Sequence, residues 1–335
     1  MAKKRIHELI KPYVITKGSK FRLKDIDPGD TGGFKPEKEV AAAALAHGVS
    51  MLRKLQEKLY AQNNWGVLLI FQALDAAGKG GAVEHVMSGV DPAGVEVYAL
   101  KAPSPEDRDH DFMWRSFKRL PERGRIGIFD RSYYEEVLIV RVHPEILQGS
   151  QIPKALVTKR VWKERFEDIR AFERYFARQG YVIRKFFLHI SQKEQLKRLR
   201  KRLDEPEKNW KFNLGDLKER ARWNDYMAAY EDLIRNTATP EAPWVVVPGN
   251  KKWFARIVVA ATIVDALEKL DLQFPTLDGN KRRELEEGRR QLEQAIGGKN
   301  GKDKVDDKKI SKKAGKKLGK NAEPDPTSRN GKNKK

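Results

Sequence analysis

Asp75, Lys79, Asp130 and Arg131 are the residues whose types and surroundings point most directly to chemistry. Asp75 and Lys79 belong to Leu74-Asp75-Ala76-Ala77-Gly78-Lys79-Gly80-Gly81, which follows an apolar run at 67–71. A small-residue loop of this kind lets backbone N–H groups, here those of Ala76, Ala77, Gly78, Gly80 and Gly81, close around phosphate oxygens while a lysine neutralises them. A helix beginning at the lysine adds its positive N-terminal end. The general phosphate-loop pattern is Gly, four residues, Gly-Lys, then Ser or Thr. Here the first position is Ala73 and the last is Gly80. Losing the hydroxyl removes the usual Mg²⁺ ligand, and Asp75 is the substitute, because magnesium is hard and takes carboxylates. The plainer alternative is a glycine-rich strand–helix turn with a surface lysine.

The second constellation is Ile126-Gly127-Ile128-Phe129-Asp130-Arg131-Ser132-Tyr133-Tyr134. A hydrophobic strand ends in Asp-Arg. A carboxylate at a strand tip beside a phosphate loop is a Walker-B-like Mg²⁺ holder, and Arg131 would aim a cation at the transferring phosphate. The plainer readings are a strand-end cap for Asp130 and a salt bridge to it for Arg131.

These residues need elements to hold them. Apolar spacing predicts a helix over 37–62, a strand at 67–71 and a helix over 79–88. Strands follow at 95–100 and 125–130, with a helix over 107–120 between them. A long helix over 156–179 ends at Gly180. A strand at 181–190 leads into a helix capped by Ser191. A polar stretch, 204–215, precedes a helix over 216–235. A fifth strand at 244–247 and a closing helix over 253–270 complete the pattern. Strands alternating with helices require a parallel sheet covered on both faces, with ligands beyond the C-terminal strand ends. Residues 1–36 read as an arm packed on the body. From Gly297 onward the chain is Lys-, Gly- and Asn-rich, which predicts disorder.

The formal net charge is +21. Residues 299–335 hold 14 Lys/Arg and 5 Asp/Glu, which leaves +12 on the rest. The folded part is therefore basic in its own right, favouring a polyanionic partner. There is no apolar run of transmembrane length, and the N-terminus lacks a secretory signal pattern. Zero cysteines excludes disulfides and cysteine metal sites. A cytoplasmic protein with no membrane partner is expected.

The loop Leu74–Gly81 and Asp130-Arg131-Ser132-Tyr133-Tyr134 together resemble the family-2 polyphosphate kinases. In that family the loop reads Gly-x-Asp-Ala-Ala-Gly-Lys, and only the first glycine differs here, as Ala73. The segment 202–212 looks like the family's lid, Ala221-Arg222-Trp223-x-x-Tyr226 like the helix after it, and 239–244 like the run into the last strand. The resemblance covers about 35–272. It implies a P-loop-kinase-like three-layer α/β/α fold with a five-stranded parallel sheet. A catalytic domain at 37–275 would carry a helical lid at about 200–222, and 276–335 would form a C-terminal helical segment and basic tail.

The resemblance further implies Mg²⁺-dependent phosphoryl transfer between inorganic polyphosphate and AMP or ADP, or their guanine equivalents. Asp75 and Asp130 would hold the metal, Lys79 would neutralise phosphate, and Arg131 would steady the migrating group. Arg202, Lys208 and Lys211 map to lid cations, with Arg222 behind them. Arg198, Arg200 and Lys201 keep the plainer reading of a solvated helix face. Tyr133-Tyr134-Glu135-Glu136 and the stretch from Lys101 resemble the subgroup accepting both AMP and ADP. There an acidic residue, Glu135 or Glu136, could hold a further metal, and Lys101 could contact phosphate. His143 is read as only shaping a loop. Homo-oligomers, dimers or tetramers, are usual in the family. If position 73 needs a glycine-only backbone, Ala73 is strained; activity is expected to survive. The competing reading is an ATP-dependent nucleotide kinase of the thymidylate-kinase type. Nucleic acid is not expected as a partner, because stacking platforms and a groove-reading helix are lacking.

Overall fold

The computed structural model describes residues 2–35 and 37–299. The expected basic tail lies largely outside the described residues. The chain divides into two compact units, Met1–Phe274 and Pro275–Lys335. In the second, the described part holds one helix, Gly279–Lys299.

The first unit is built on a six-stranded sheet ordered β1-β6-β5-β2-β4-β3. Its strands are β1 (Val14–Ile15), β2 (Gly66–Gln72), β3 (Val95–Ala99), β4 (Ile126–Asp130), β5 (Tyr181–His189) and β6 (Trp244–Pro248). The five strands β2 to β6 pair in parallel, as expected. The sixth is a correction to the expected five. The N-terminal arm adds the two-residue β1, antiparallel to β6. Two residues carry too short an alternation to be read as a strand beforehand.

β2 lies between β4 and β5 and is buried at all seven positions. This is why its sequence is continuously apolar rather than alternating. Register aligns Phe71 with Asp130, so the phosphate loop and the Asp-Arg pair leave the same edge of the sheet side by side. The chain passes from β2 to β3 and β4 on one side, then to β5 and β6 on the other. β2 is therefore the topological switch point, where α/β sheets bind ligands.

The helices that matter below are α1 (Lys38–Gln62), α2 (Lys79–Met87), α3 (Val161–Arg178), α4 (Gln192–Asp204), α5 (Leu214–Ala221), α6 (Trp223–Thr237) and α7 (Lys252–Glu268). α7 is apolar nearly all round and buried, packing on α1, α2 and the sheet. Three expected helices differ. The one expected over 156–179 begins only at Val161, after a short 3-10 turn at Lys154–Leu156. The one expected over 107–120 is two short pieces, Pro105–Arg108 and Trp114–Phe117, because Asp111 Oδ1 accepts from the Met113 amide at 2.9 Å and turns the chain. The one expected over 216–235 breaks at Arg222 into α5 and α6. Among the described residues no helix is long and apolar enough to cross a membrane.

Candidate active site

The loop from Ala73 to Gly78 turns β2 into α2. Gly78 has φ +100°, a conformation that suits glycine alone, and it caps α2 without any side-chain hydrogen bond. The first amides of α2, on Lys79, Gly80 and Gly81, thus have no helical acceptor and are free for an anion. A Cβ added at Gly80 or Gly81 would meet nothing within 4 Å, so this side of the loop is open. Ala73 has an ordinary backbone; the left-handed non-glycine residue of the loop is Ala76, φ +62°. The alanine at 73 is therefore unstrained.

Lys79 reaches back along the loop. Its Nζ donates to the Ala73 carbonyl at 3.1 Å and lies 3.9 Å from Asp130 Oδ1. Arg131 has φ +67°, and its amide continues the ladder by donating to Phe71 O at 3.0 Å. Its guanidinium donates to Asp75 Oδ1 at 2.9 Å, so the ion pair runs across to the loop, not to Asp130. Burial opposes the Arg131 charge, yet Glu135, Asp75 and Asp130 around it hold its pKa above the ordinary value. The two cation–carboxylate pairs, Lys79–Asp130 and Arg131–Asp75, thus knit the loop to the tip of β4.

A buried network fixes the motif behind them. Tyr133 and Tyr134 hydroxyls both donate to Glu173 Oε1, at 2.9 and 2.8 Å. Lys185, fully buried on β5, donates to Glu173 Oε2 at 2.6 Å, Tyr134 at 2.9 Å and Thr237 O at 2.8 Å. The tyrosines of the motif are anchors; the Asp-Arg pair before them faces the site.

Three cavities surround this edge. The first, about 220 Å³, is lined by Ala76 to Gly78 and Gly81 and by seven cations: Arg198, Lys201, Arg202, Lys208, Lys211, Lys252 and Arg256, with no carboxylate. The second, about 270 Å³, is acidic: Asp75, Glu135, Asp216 and Glu219 face Arg131 beneath α5. Burial first, then the nearby Asp75, raises the Asp216 carboxyl; burial likewise raises Glu135, against the pull of Arg131 and Lys79. The third, about 740 Å³, shares Arg131 and Glu135 with the second and is mixed in character. Lys101, Arg115 and Arg165 stand among Phe112, Ile139, Val140 and Leu147.

Most of the expected residues converge here, with differences. Lys101 lies in the mixed cavity, not among the cations of the first. Arg222 lines none of the three cavities and donates instead to Val142 O at 3.2 Å. Arg202 reaches the cationic cavity while paired to Asp216 at 2.6 Å. Glu136 is paired to Arg165 at 2.9 Å, which leaves Glu135 as the residue facing the loop. Arg200 is exposed and paired to Asp204, as a solvated face requires. Arg198 is not solvated: it is 8% exposed and hydrogen-bonded to the loop. Lys252 and Arg256 were missed. A signal was available for Lys252, since Lys251 and Lys252 open α7 with no acid in its first turn, against the helix dipole.

His143 does more than shape a loop. Its Nδ1 meets Glu145 and its Nε2 meets Glu219 of α5, both at 2.9 Å, and Tyr226 donates to the same Glu219 oxygen at 2.6 Å. Burial disfavours its charge, but the hydrogen bonds to Glu219 and Glu145 raise its pKa overall, with Arg222 opposing. A raised histidine contributes stability that is complete below its unfolded value, 6.5, and lost as pH rises through the folded value. The difference in Tm between the native chain and His143→Gln should therefore be largest below pH 6.5 and shrink toward alkaline pH in thermal unfolding. A constant difference would contradict a charged His143 held between Glu145 and Glu219.

Comparisons with known proteins show the family. The family model described as polyphosphate kinase 2 matches residues 35–275. The chain is 47% identical over 266 residues to an ADP-polyphosphate phosphotransferase of Rhodopseudomonas palustris, covering 79% of this chain and 92% of that protein. It is 44% identical over 266 residues to an AMP/ADP-polyphosphate phosphotransferase of Meiothermus ruber, covering 79% and 96%. The crystal structure of polyphosphate kinase 2 from Arthrobacter aurescens superposes with a TM-score of 0.74 at 44% identity, covering 81% of this chain and 94% of that one. With the family model spanning strands β2 to β6 and the phosphate loop, the chain belongs to the polyphosphate kinase 2 family.

Proposed function

We propose that this protein transfers phosphoryl groups between inorganic polyphosphate and the nucleotides AMP and ADP. The observation that carries the proposal is the partition of the site. A cavity lined with cations and no carboxylate flanks the phosphate loop on one side. A larger mixed cavity with apolar walls lies on the other, reached past Arg131. The first suits a polymer of phosphates and has no aromatic side chain on which a base could stack; the second suits a nucleoside with its phosphates near Lys101 and Arg131. An ATP-dependent kinase would need a base pocket on the donor side.

Phosphoryl transfer needs positioning and charge neutralisation more than covalent help. A terminal phosphate oxygen of the acceptor attacks the end phosphorus of the polymer. The anhydride bond to the next phosphate breaks, and its electron pair leaves on the shortened chain. Both sides are phosphoanhydrides, so the step is reversible. The amides of Lys79, Gly80 and Gly81 hold donor oxygens. Lys79 and Arg131 bring positive charge to the migrating group, and α5 over the acidic cavity excludes water, the competing acceptor.

The donor set fits Mg²⁺. Among the described residues no cluster of three His, Cys, Asp or Glu forms a dedicated cage. Asp75 and Asp130 at adjacent strand ends suit an ion that takes one or two carboxylates and completes its shell with water and substrate phosphates. Glu135, the third ligand expected from the sequence, lines the same cavity as Asp75 but completes no three-residue cluster with the two aspartates among the described residues, so this reading keeps it as an acidic neighbour of the ion. When bound, the ion neutralises phosphate oxygens. The catalytic domain in this reading is 37–275, working as a cytoplasmic homo-oligomer.

Purified protein with Mg²⁺, polyphosphate and ADP or AMP should form the next higher nucleotide. ATP formed only when a nucleoside triphosphate is the donor would reverse the assignment. Within the same assay, Lys252→Met with Arg256→Met should raise the polyphosphate KM by about tenfold, equivalent to about 1.4 kcal/mol. kcat should be little changed and the salt dependence shallower. An unaltered KM would remove α7 from the polymer's path.

A further inference from the structure

The amides of a phosphate loop can face a ligand only if its carbonyls are satisfied elsewhere. Two of these carbonyls are held by one helix. Gln195 Nε2 donates to Asp75 O at 3.1 Å, and Arg198 Nη1 donates to Ala77 O at 2.6 Å. The two residues are three apart on α4 and so share a face. They are only 2% and 8% exposed. Between the two gripped carbonyls sits Ala76, in the left-handed conformation that alanine adopts only under constraint. Arg198 is itself clamped, to Glu194 Oε1 at 2.7 Å and Gly249 O at 2.6 Å.

The other end of the Gln195 amide faces the lid. Arg220, on α5, donates through one nitrogen to Gln195 Oε1 and to Gln192 O, both at 2.9 Å. α5 also carries Asp216 and Glu219 into the acidic cavity. A continuous chain of hydrogen bonds therefore runs from the lid, through Gln195, to the backbone of Asp75.

We propose that Gln195 is a positioning residue that couples seating of the lid to the geometry of the phosphate loop, with Arg220 as its partner on the lid. This rests on Asp75 being a working residue of the proposed transfer. The amide suits the task because it both donates and accepts. Its donor fixes the loop, and its acceptor receives the lid only when α5 is down. The loop is thereby held in shape when the site is closed, and catalytic geometry and water exclusion arrive together.

The test is a double-mutant cycle on the full chain. Gln195→Met keeps volume and removes both hydrogen bonds; a fall in kcat of about 30-fold is expected, within the range for small misplacements of reacting groups, with KM for either substrate little changed. Arg220→Met should lower kcat by less, Arg220→Lys should recover most of that loss, and the double mutant should be no worse than Gln195→Met alone. Hydrogen exchange with polyphosphate added, without turnover, gives a second readout. In the native chain, peptides covering 73–78 and 214–221 should gain protection together. In Gln195→Met the loop should gain protection without the lid. Additive losses in the cycle, or joint protection retained in Gln195→Met, would overturn the coupling. Absence of polyphosphate-dependent activity in the native chain would instead overturn the transfer on which it rests.

Discussion

Asp130→Asn and Asp75→Asn should each lower polyphosphate-driven ATP formation by about 10²–10³-fold, the loss typical when one pre-organised electrostatic group is removed from a transition state. The substitution is isosteric, and both side chains are about a third exposed, 31% each. Folding is therefore expected to survive. The two lesions differ in what they release. Asp130→Asn leaves Lys79 held by the Ala73 carbonyl alone. Asp75→Asn removes the negative charge facing the Arg131 guanidinium at 2.9 Å and leaves at most a neutral acceptor there, while the left-handed Arg131 backbone stays tied to Phe71. Steady-state kinetics beside a thermal melt would decide the matter. Loss of kcat with an unchanged Tm is the expected result, and activity within a few-fold of native for either variant would exclude that aspartate from the chemistry.

Lys185→Met should be the most destabilising single change in the body. The ammonium is fully buried and makes three hydrogen bonds, and removing it leaves the Glu173 carboxylate without its counter-charge. Burial pushes the Lys185 pKa below its ordinary value, against the pull of Glu173. Breaking one partner of such a pair costs about 3–5 kcal/mol, a fall in Tm on the order of 10 °C for a unit of this size. Replacing both charges, Lys185→Met with Glu173→Met, should recover much of the loss, because no buried charge is then stranded. Denaturant melts would show this. A Lys185→Met midpoint equal to native would mean that the network does not anchor the Asp130–Tyr134 segment.

The contrast between these two predictions follows what could be read from residues alone. Asp75 and Lys79 lie in one short stretch, and Asp130 and Arg131 in another, each behind an apolar strand. Local pattern therefore singled them out as candidates, and parallel pairing of β2 and β4 places the two stretches side by side. Lys185 and Glu173 were invisible as a pair, because a charged residue in a strand or helix reads as surface unless its partner is known. Arg198 was misplaced for the same reason. It sits in a run of cations at the end of α4, and only the fold shows that it turns inward while Arg200 turns out. Lys252 and Arg256 lie far from the phosphate loop in sequence, and the packing of α7 on α2 and beside β6 brings them to it. The break at Arg222 escaped notice because the apolar spacing on its two sides resembles one continuous helix.

The two-sided site is tested most directly by a crystal structure with Mg²⁺, ADP and a non-hydrolysable methylene-bridged polyphosphate. The ion should lie between Asp75 and Asp130, with the polymer running along Arg198, Lys208 and Lys252 and the nucleoside in the mixed cavity beyond Arg131. An adenine seated among those cations, or an ion bound away from both aspartates, would contradict the account.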